Sequence, residues 1–282
     1  MLSPEEIKFY KDNGYLVVEQ VLSQDEVEDL RRVTDEFVEQ SRNVTEHNDV
    51  YDLEPDHSPE TPRVRRIKQP SLQHPVYDHT LRHPGILEIV SQLIGQEIRY
   101  QNTKLNLKSP KIGSPVQWHQ DWSFYPHTND DILAVGVAID DMTLDNGCLL
   151  IVPGSHRGPI HDHHQDGVFI GAVTDAQFSD SEIVPVTIAA GGISIHHVRT
   201  LHASRQNTSA HARRLLLLEL AAVDAWPLLG CGDFEQFNGR ILQGQPTNLP
   251  RVEKVPVRIP EPKHERQGSI YEVQTKLRRA GV

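Results

Sequence analysis

Histidine is concentrated at four places in the chain: His119 two residues before Asp121, the run His161-Asp162-His163-His164, the pair His196-His197, and His202. A metal site needs donors from separate strands that converge in space. Residues i and i+2 of a strand face the same side, so a His-x-Asp pair supplies two donors at once. His119-Gln120-Asp121 is such a pair, and His202, just beyond the apolar run that ends at His197, is a candidate third ligand. Two imidazoles and one carboxylate with positions left open form the donor set of non-haem Fe(II) oxygenases. His-x-Asp alone is common, and His164-Gln165-Asp166 repeats the same three letters. That copy lies in a polar stretch that reads as a loop, where a preorganised site is harder to build. The first copy is therefore preferred, and His161, His163, His164, His211 and His264 read as satisfied or solvent-facing imidazoles.

Arg213 follows His202 by eleven residues, at the entrance to the run Leu215 to Leu218. A chain that turns back there would bring the guanidinium beside the metal on an adjacent strand, and an arginine fork clamps a carboxylate. Ser204 would add a hydroxyl donor to the same carboxylate. The plainer reading of Arg213 is a surface charge next to Arg214.

These side chains need a scaffold. Ser3-Pro4-Glu5-Glu6 combines a capping Ser, a Pro at the first helical position and a Glu three residues after the cap. It predicts a helix to about Asp12, broken by Asn13-Gly14 and followed by the short β-type run Tyr15 to Val18. Ser23-Gln24-Asp25-Glu26 repeats the capping box, and Val27, Leu30, Val33 and Phe37 are spaced for a second amphipathic helix. From Ser41 to Pro70 no periodicity holds, and so long a stretch without structure is functional or disordered. A third helix is predicted between Pro84 and Leu93, stopped by Gly95. Six candidate strands follow: Ile98 to Leu107, Asp131 to Ile139, Cys148 to Val152, Glu182 to Ile188, Gly192 to His197 and Arg214 to Ala222. Helices first and strands afterwards predict one mainly β domain over residues 1–282, a β-sandwich or jelly roll flanked by N-terminal helices. The polar segment from about Asn248 is expected to wrap the surface or fray.

The composition excludes several classes. The 282 residues carry 28 Lys plus Arg against 39 Asp plus Glu, a formal charge of −11, so no basic excess exists for sequence-independent nucleic-acid binding. The longest apolar run, Ile132 to Ile139, falls far short of the roughly 20 residues that cross a bilayer. The acidic start does not read as a secretory signal, and two cysteines build no disulfide framework; a cytoplasmic protein is expected. The oligomeric state is open.

Further motifs sharpen the reading. Trp118-His119-Gln120-Asp121, Asp145-Asn146-Gly147-Cys148-Leu149, Val152-Pro153-Gly154-Ser155-His156, Gly191-Gly192, His202-Ala203-Ser204, Gln206-Asn207 and Arg213, with the opening Phe9 to Tyr15, resemble the phytanoyl-CoA dioxygenase family of Fe(II)/2-oxoglutarate oxygenases. The resemblance runs from about residue 3 to 222. It implies a double-stranded β-helix (jelly roll), with Fe(II) on His119, Asp121 and His202, and 2-oxoglutarate on Arg213 with Ser204 beside it. Lys104 falls near a position that faces the co-substrate, where its charge would hold either 2-oxoglutarate or a substrate acid; an outward Lys on a half-exposed strand is the alternative. The implied reaction consumes O2 and 2-oxoglutarate, releases succinate and CO2, and hydroxylates a C–H bond of a small-molecule substrate. Because Asp121 is retained, where halide-transferring relatives carry a small residue, hydroxylation, desaturation or cyclisation is expected over halogenation.

The substrate wall is expected from Trp122, Phe124 and Tyr125, and from segment 41–70 if it folds over the site as a lid carrying the basic cluster Arg63 to Lys68. Two other readings compete: a cupin-type metal-dependent dioxygenase or isomerase that does not use 2-oxoglutarate, and a non-catalytic relative that keeps the fold for binding. A carboxylate clamp at Arg213 and Ser204 argues against the first, and an intact triad against the second.

Overall fold

The structure is a computed structural model and describes residues 1–175, 178–258 and 270–274. His264 and most of the expected C-terminal extension lie outside the described residues. Along the chain the helices are α1 (Pro4–Asn13), α2 (Gln24–Gln40), α3 (Pro70–Gln73), α4 (Pro75–Leu81), α5 (Pro84–Ile94), α6 (Phe234–Asn238) and α7 (Ile270–Gln274). The strands are β1 (Tyr15–Val18), β2 (Tyr51–Leu53), β3 (Val64–Lys68), β4 (Ile98–Lys108), β5 (Val116–His119), β6 (Ile132–Ala138), β7 (Leu149–Ile151), β8 (His164–Gln165), β9 (Val168–Phe169), β10 (Val184–Val186), β11 (Ile193–His197), β12 (His202–Ser204), β13 (Arg213–Ala222) and β14 (Ile241–Gln243).

Both predicted capping boxes form: Ser3 with Glu6 starts α1 and Ser23 with Glu26 starts α2, each worth about 1 kcal/mol of helix stability. Gly14 ends α1 in the left-handed region, φ 75°, where a side chain is strained. One stretch gains helices that the sequence reading did not assign, and one expectation needs correction. Residues 70–81 form two short helices, each begun by a proline at its first turn. Segment 41–70 is not structureless: β2 and β3 pair antiparallel, and β3 then pairs with β4, so the segment extends the large sheet as an edge hairpin.

The large sheet runs β1-β11-β6-β13-β4-β3-β2, with β14 also on β4; the small sheet runs β10-β7-β12-β5. All pairings are antiparallel, and the two sheets face one another as a jelly roll. Alternation decides what each face carries. Leu216, Leu218 and Leu220 of β13 and Leu133, Val135 and Val137 of β6 point outward, where Leu30, Val33, Leu81, Ile86 and Val90 of the helices cover them. Fully burying one such side chain contributes about 1.5–3 kcal/mol. The intervening residues, Arg213, Leu215, Leu217 and Glu219 of β13 with Lys104 and Asn106 of β4, face inward and line a cavity between the sheets. The run Leu215 to Leu218 is thus continuous because this strand is covered on both faces.

Candidate metal and co-substrate site

The cavity, about 1020 Å³, has the His-x-Asp pair on one wall. His119 is the last residue of β5, and the chain leaves the strand through extended Gln120 (φ −121°, ψ 125°) into a single 3-10 turn that begins at Asp121. The pair therefore does not lie wholly on one strand, yet extended Gln120 still brings both side chains to the same side. His202 sits on β12, with His119 as its Cα partner. One donor atom from each of His119, Asp121 and His202 falls within 4.8 Å of the others, and all three residues are buried.

Each imidazole is held the same way. Nδ1 of His119 lies 2.8 Å from the carbonyl of Gln117, and Nδ1 of His202 lies 2.9 Å from that of Thr200. Nδ1–H donates to the carbonyl, which leaves Nε2 as a lone pair aimed at Asp121, 3.7 and 4.0 Å from its oxygens. Burial lowers the His119 pKa to about 4 and pushes that of His202 well below the ordinary value, so both rings stay neutral donors at pH 7. Burial alone would raise Asp121, but its neighbours His196, through a hydrogen bond, and His202, Lys104 and His119 outweigh it and hold the carboxyl well below its usual range. Two neutral imidazoles and one carboxylate, each oriented from behind, fit a divalent iron ion.

The loop between the ligands is pinned by residues that sequence reasoning passed over. Gln120 is fully buried; its amide donates to the carbonyls of Pro159 (3.1 Å) and Arg199 (2.9 Å) and accepts from the His161 N–H (2.9 Å). Its backbone N–H donates to Nε2 of His163 (3.0 Å), and Nδ1 of His163 meets the carbonyl of His161 (2.9 Å) and the hydroxyl of Ser123 (3.0 Å). The expectation of a satisfied imidazole at His163 holds. His196, named as part of a pair but given no role, places Nε2 3.3 Å from Oδ2 of Asp121. The second His-Gln-Asp copy forms no such cluster among the described residues: His164 and Gln165 make up β8 of a small hairpin, and Nδ1 of His164 pairs with Asp162 at 2.8 Å.

Arg213 lines the same cavity, but its position differs from expectation. It lies on β13 of the large sheet, across from His202 on the small sheet and not on a neighbouring strand, because β13 pairs with β4 and β6 while β12 pairs with β5 and β7. Arg213 is 3% exposed, and among the described residues its Nε and Nη1 have no hydrogen-bond partner. That leaves two buried donors free to grip a carboxylate, the chemistry 2-oxoglutarate presents. Ser204 lines the cavity too.

Lys104 also reaches the cavity, one inward-facing residue beyond Asn106, and it contacts Glu219. Half-buried Tyr125 lies near Glu219 and Asp121; burial of its phenol and these two carboxylates push its pKa well up, so it remains an O–H donor. The cation beside Arg213 is Lys108, its partner on β4, whose Nζ is spent on the backbone carbonyls of Ser114 (2.8 Å) and Arg205. Gly147 makes room for that lysine: a Cβ there would meet the Arg205 carbonyl at 2.5 Å and Lys108 Cδ at 3.0 Å. Phe124 and Tyr125 line the cavity as expected, whereas Trp122 is fully buried in a separate core cluster and donates to the Pro256 carbonyl (2.7 Å). Of the basic cluster, Arg66 and Lys68 face the cavity; Arg63 and Arg65 are taken up by Asp56 and Glu54.

Known proteins similar to this chain identify its family and fold. Residues 10–215 match the family Phytanoyl-CoA dioxygenase (PhyH). The chain is 36% identical over 279 residues to a protein of Stutzerimonas stutzeri named probable alpha-ketoglutarate-dependent hypophosphite dioxygenase, covering 97% of each. It is 26% identical over 240 residues to the peroxisomal phytanoyl-CoA dioxygenase of Rattus norvegicus, covering 79% of this chain and 70% of that one. The solved structure of EvdO2 from Micromonospora carbonacea var. aurantiaca complexed with 2-oxoglutarate is similar at TM-score 0.63 and 25% identity, over 83% of this chain and 94% of that one. EctD from S. alaskensis with bound Fe shares the fold, at TM-score 0.68 and 23% identity over 90% and 88%. The family match takes in His119, Asp121, His202 and Arg213 alike, and the chain belongs to the phytanoyl-CoA dioxygenase family of Fe(II)/2-oxoglutarate-dependent dioxygenases.

Proposed function

We propose that the protein inserts an oxygen atom into a small-molecule substrate, with His119, Asp121 and His202 as the Fe(II) ligands and Arg213 and Ser204 as the clamp on the distal carboxylate of 2-oxoglutarate. The observation that carries this reading is the buried His-Asp-His cluster facing an unpartnered arginine across one cavity. Bound Fe(II) would supply dioxygen activation at the expense of 2-oxoglutarate, which leaves as succinate and CO2. The chain's own part is orientation and exclusion of water. The two Nδ1–H bonds and His196 hold the ligands in register; Arg213 fixes which end of the co-substrate faces the ligands. Tyr125, Glu219 and Lys104 put a hydrogen-bonded polar patch beside Asp121, where a substrate would meet the reacting centre.

The bond that receives the oxygen atom is a C–H bond, or a P–H bond if the substrate is that named for the Stutzerimonas stutzeri relative. The second case is favoured by that relative's match over 97% of each chain and by Arg66 on the β3 wall, which suits a small oxyanion; Lys68 and Lys104 line the same wall but pair with Asp52 and Glu219. Succinate formation by iron-loaded protein, with hypophosphite and a panel of organic acids as substrates, decides between them. Succinate made with none of these, in a protein that also binds no 2-oxoglutarate, would remove the proposal.

A further inference from the structure

Phe124 stands between the metal ligands and the segment that follows β9. Its N–H donates to the carbonyl of Asp121 (2.9 Å), which closes the 3-10 turn. Its half-buried ring lines the cavity, with its centroid 6.0 Å from that of His119 and 5.1 Å from that of Phe169, edge to face with both. Behind the ring is Gly171, where a Cβ would meet Phe124 Cζ at 2.6 Å and Cε1 at 2.9 Å.

The backbone at Gly171 is held on both sides. Its carbonyl accepts from the Gln274 amide of α7 (2.8 Å). The Ile170 N–H before it donates to the carbonyl of His163 (2.8 Å), and the Val173 N–H after it to that of Trp118 on β5 (2.8 Å). A methyl group at 171 would therefore displace the ring, and the side open to the ring is the cavity that it lines. Gly171 has φ 63°, which by itself favours glycine. Gly167, in the turn between β8 and β9, has φ 78°, yet a Cβ there meets nothing within 4 Å among the described residues. Both positions share the backbone requirement; of the two, Gly171 has the ring against it.

The room left beside the ring has a chemical character. Phe124, Phe169 and Val273 make one side of the cavity apolar, while Arg66 puts a guanidinium on the β3 side. At about 1020 Å³ the cavity is as large as pockets that enclose drug-sized ligands. That exceeds what 2-oxoglutarate and a bare inorganic oxyanion fill.

We propose that Gly171 is a positioning residue for substrate specificity: by letting the Phe124 ring lie back, it keeps room beside His119 for the apolar body of an anionic substrate whose charged head meets Arg66. The inference rests on the reading of this cavity as the place where a small oxyanion is oxidised.

The test is anaerobic calorimetric titration of the full-length protein, loaded with Fe(II) and 2-oxoglutarate, with hypophosphite, methylphosphinate and phenylphosphinate. These keep the oxyanion and a P–H bond while the apolar body grows. The unaltered protein should bind phenylphosphinate at least as tightly as hypophosphite. Gly171→Ala should weaken phenylphosphinate about fivefold or more, the lower end of what overpacking costs, and leave hypophosphite and Fe(II) affinity unchanged. In a Phe124→Leu protein, which lacks the obstructing ring atoms, the same Gly171→Ala change should cost less than about twofold. Gly167→Ala, which carries the backbone strain without the contact, should alter none of these affinities. An equal loss for all three anions in Gly171→Ala overturns the proposal, as does an undiminished loss in the Phe124→Leu background. So does an unaltered protein that takes hypophosphite and rejects phenylphosphinate. If it takes none of the three, the oxyanion reading has failed, and the proposal with it.

Discussion

His202 lies opposite His119 as its antiparallel Cα partner on the ladder between β12 and β5. Partners in such a ladder sit roughly 4.5–5.5 Å apart at Cα, so the spacing of two ligands is set by strand pairing and not by a flexible loop. Each ring is then turned by a carbonyl two residues upstream on its own chain, Gln117 for one and Thr200 for the other. A change at either histidine should remove a donor without disturbing the ladder, which is a main-chain structure.

Alanine at His119, Asp121 or His202 should accordingly weaken Fe(II) binding by at least about 100-fold and abolish turnover, while circular dichroism stays native. Alanine at His164, in the repeated His-Gln-Asp, should leave both within about twofold. Iron titration of the four variants checks this, and an inactive His164→Ala protein would move the site.

His196 supports Asp121 from behind at 3.3 Å. Its replacement by Ala should lower Fe(II) affinity about 10–100-fold, as loss of an outer partner of a metal ligand does. A titration curve matching that of the unaltered protein would confine His196 to packing.

Arg213→Ala should raise the 2-oxoglutarate requirement by a factor of about 100 or more, because a paired charged donor is lost. The substrate requirement should change far less. Steady-state assays with each reactant varied in turn separate the two, and equal increases would point to a general collapse of the cavity.

The apoprotein should lose stability as the solution is acidified. Burial lowers His127 to about 4 and His163 to about 3, against about 6.5 in an unfolded chain. Below pH 6.5 the unfolded state takes up protons that these rings refuse in the fold, so stability falls with pH until the folded values are reached. Each ring accounts for about 2 kcal/mol between pH 7 and pH 5. Urea midpoints across that interval check the sign; a midpoint that holds or rises as pH falls contradicts it.

Much of the candidate site is legible because its residue types are unusual and closely spaced: His119, Asp121 and His202 cluster, and Ser204 and Arg213, picked out by position in the chain and by family likeness, line the same cavity, though Arg213 does so from the opposite sheet. What escaped the sequence depends on pairing between distant segments. His196 acquires its partner 75 residues away, and the Gln120 amide is held by segments 39 and 79 residues distant. The strands that carry His119 and His202 are four and three residues long, too short to show periodicity. β3 was hidden for another reason: Arg65 and Arg66 are buried there beside Val64 and Ile67, each excused by a polar partner or a ring, so the run reads as a charged loop.

The first strand of the chain has a role apart from catalysis. β1 pairs along β11 from Tyr15 to Val18, and β11 would otherwise end the large sheet. The Gly14 carbonyl just before it takes hydrogen bonds from the His197 N–H (2.9 Å) and the Thr200 hydroxyl (2.7 Å), in the loop that leads to His202. The opening segment thus guards the molecule against itself: cut away, it would uncover a ladder of unsatisfied main-chain groups able to template edge-to-edge association. Trimming the first eighteen residues would in that case produce aggregates before it produced an inactive enzyme.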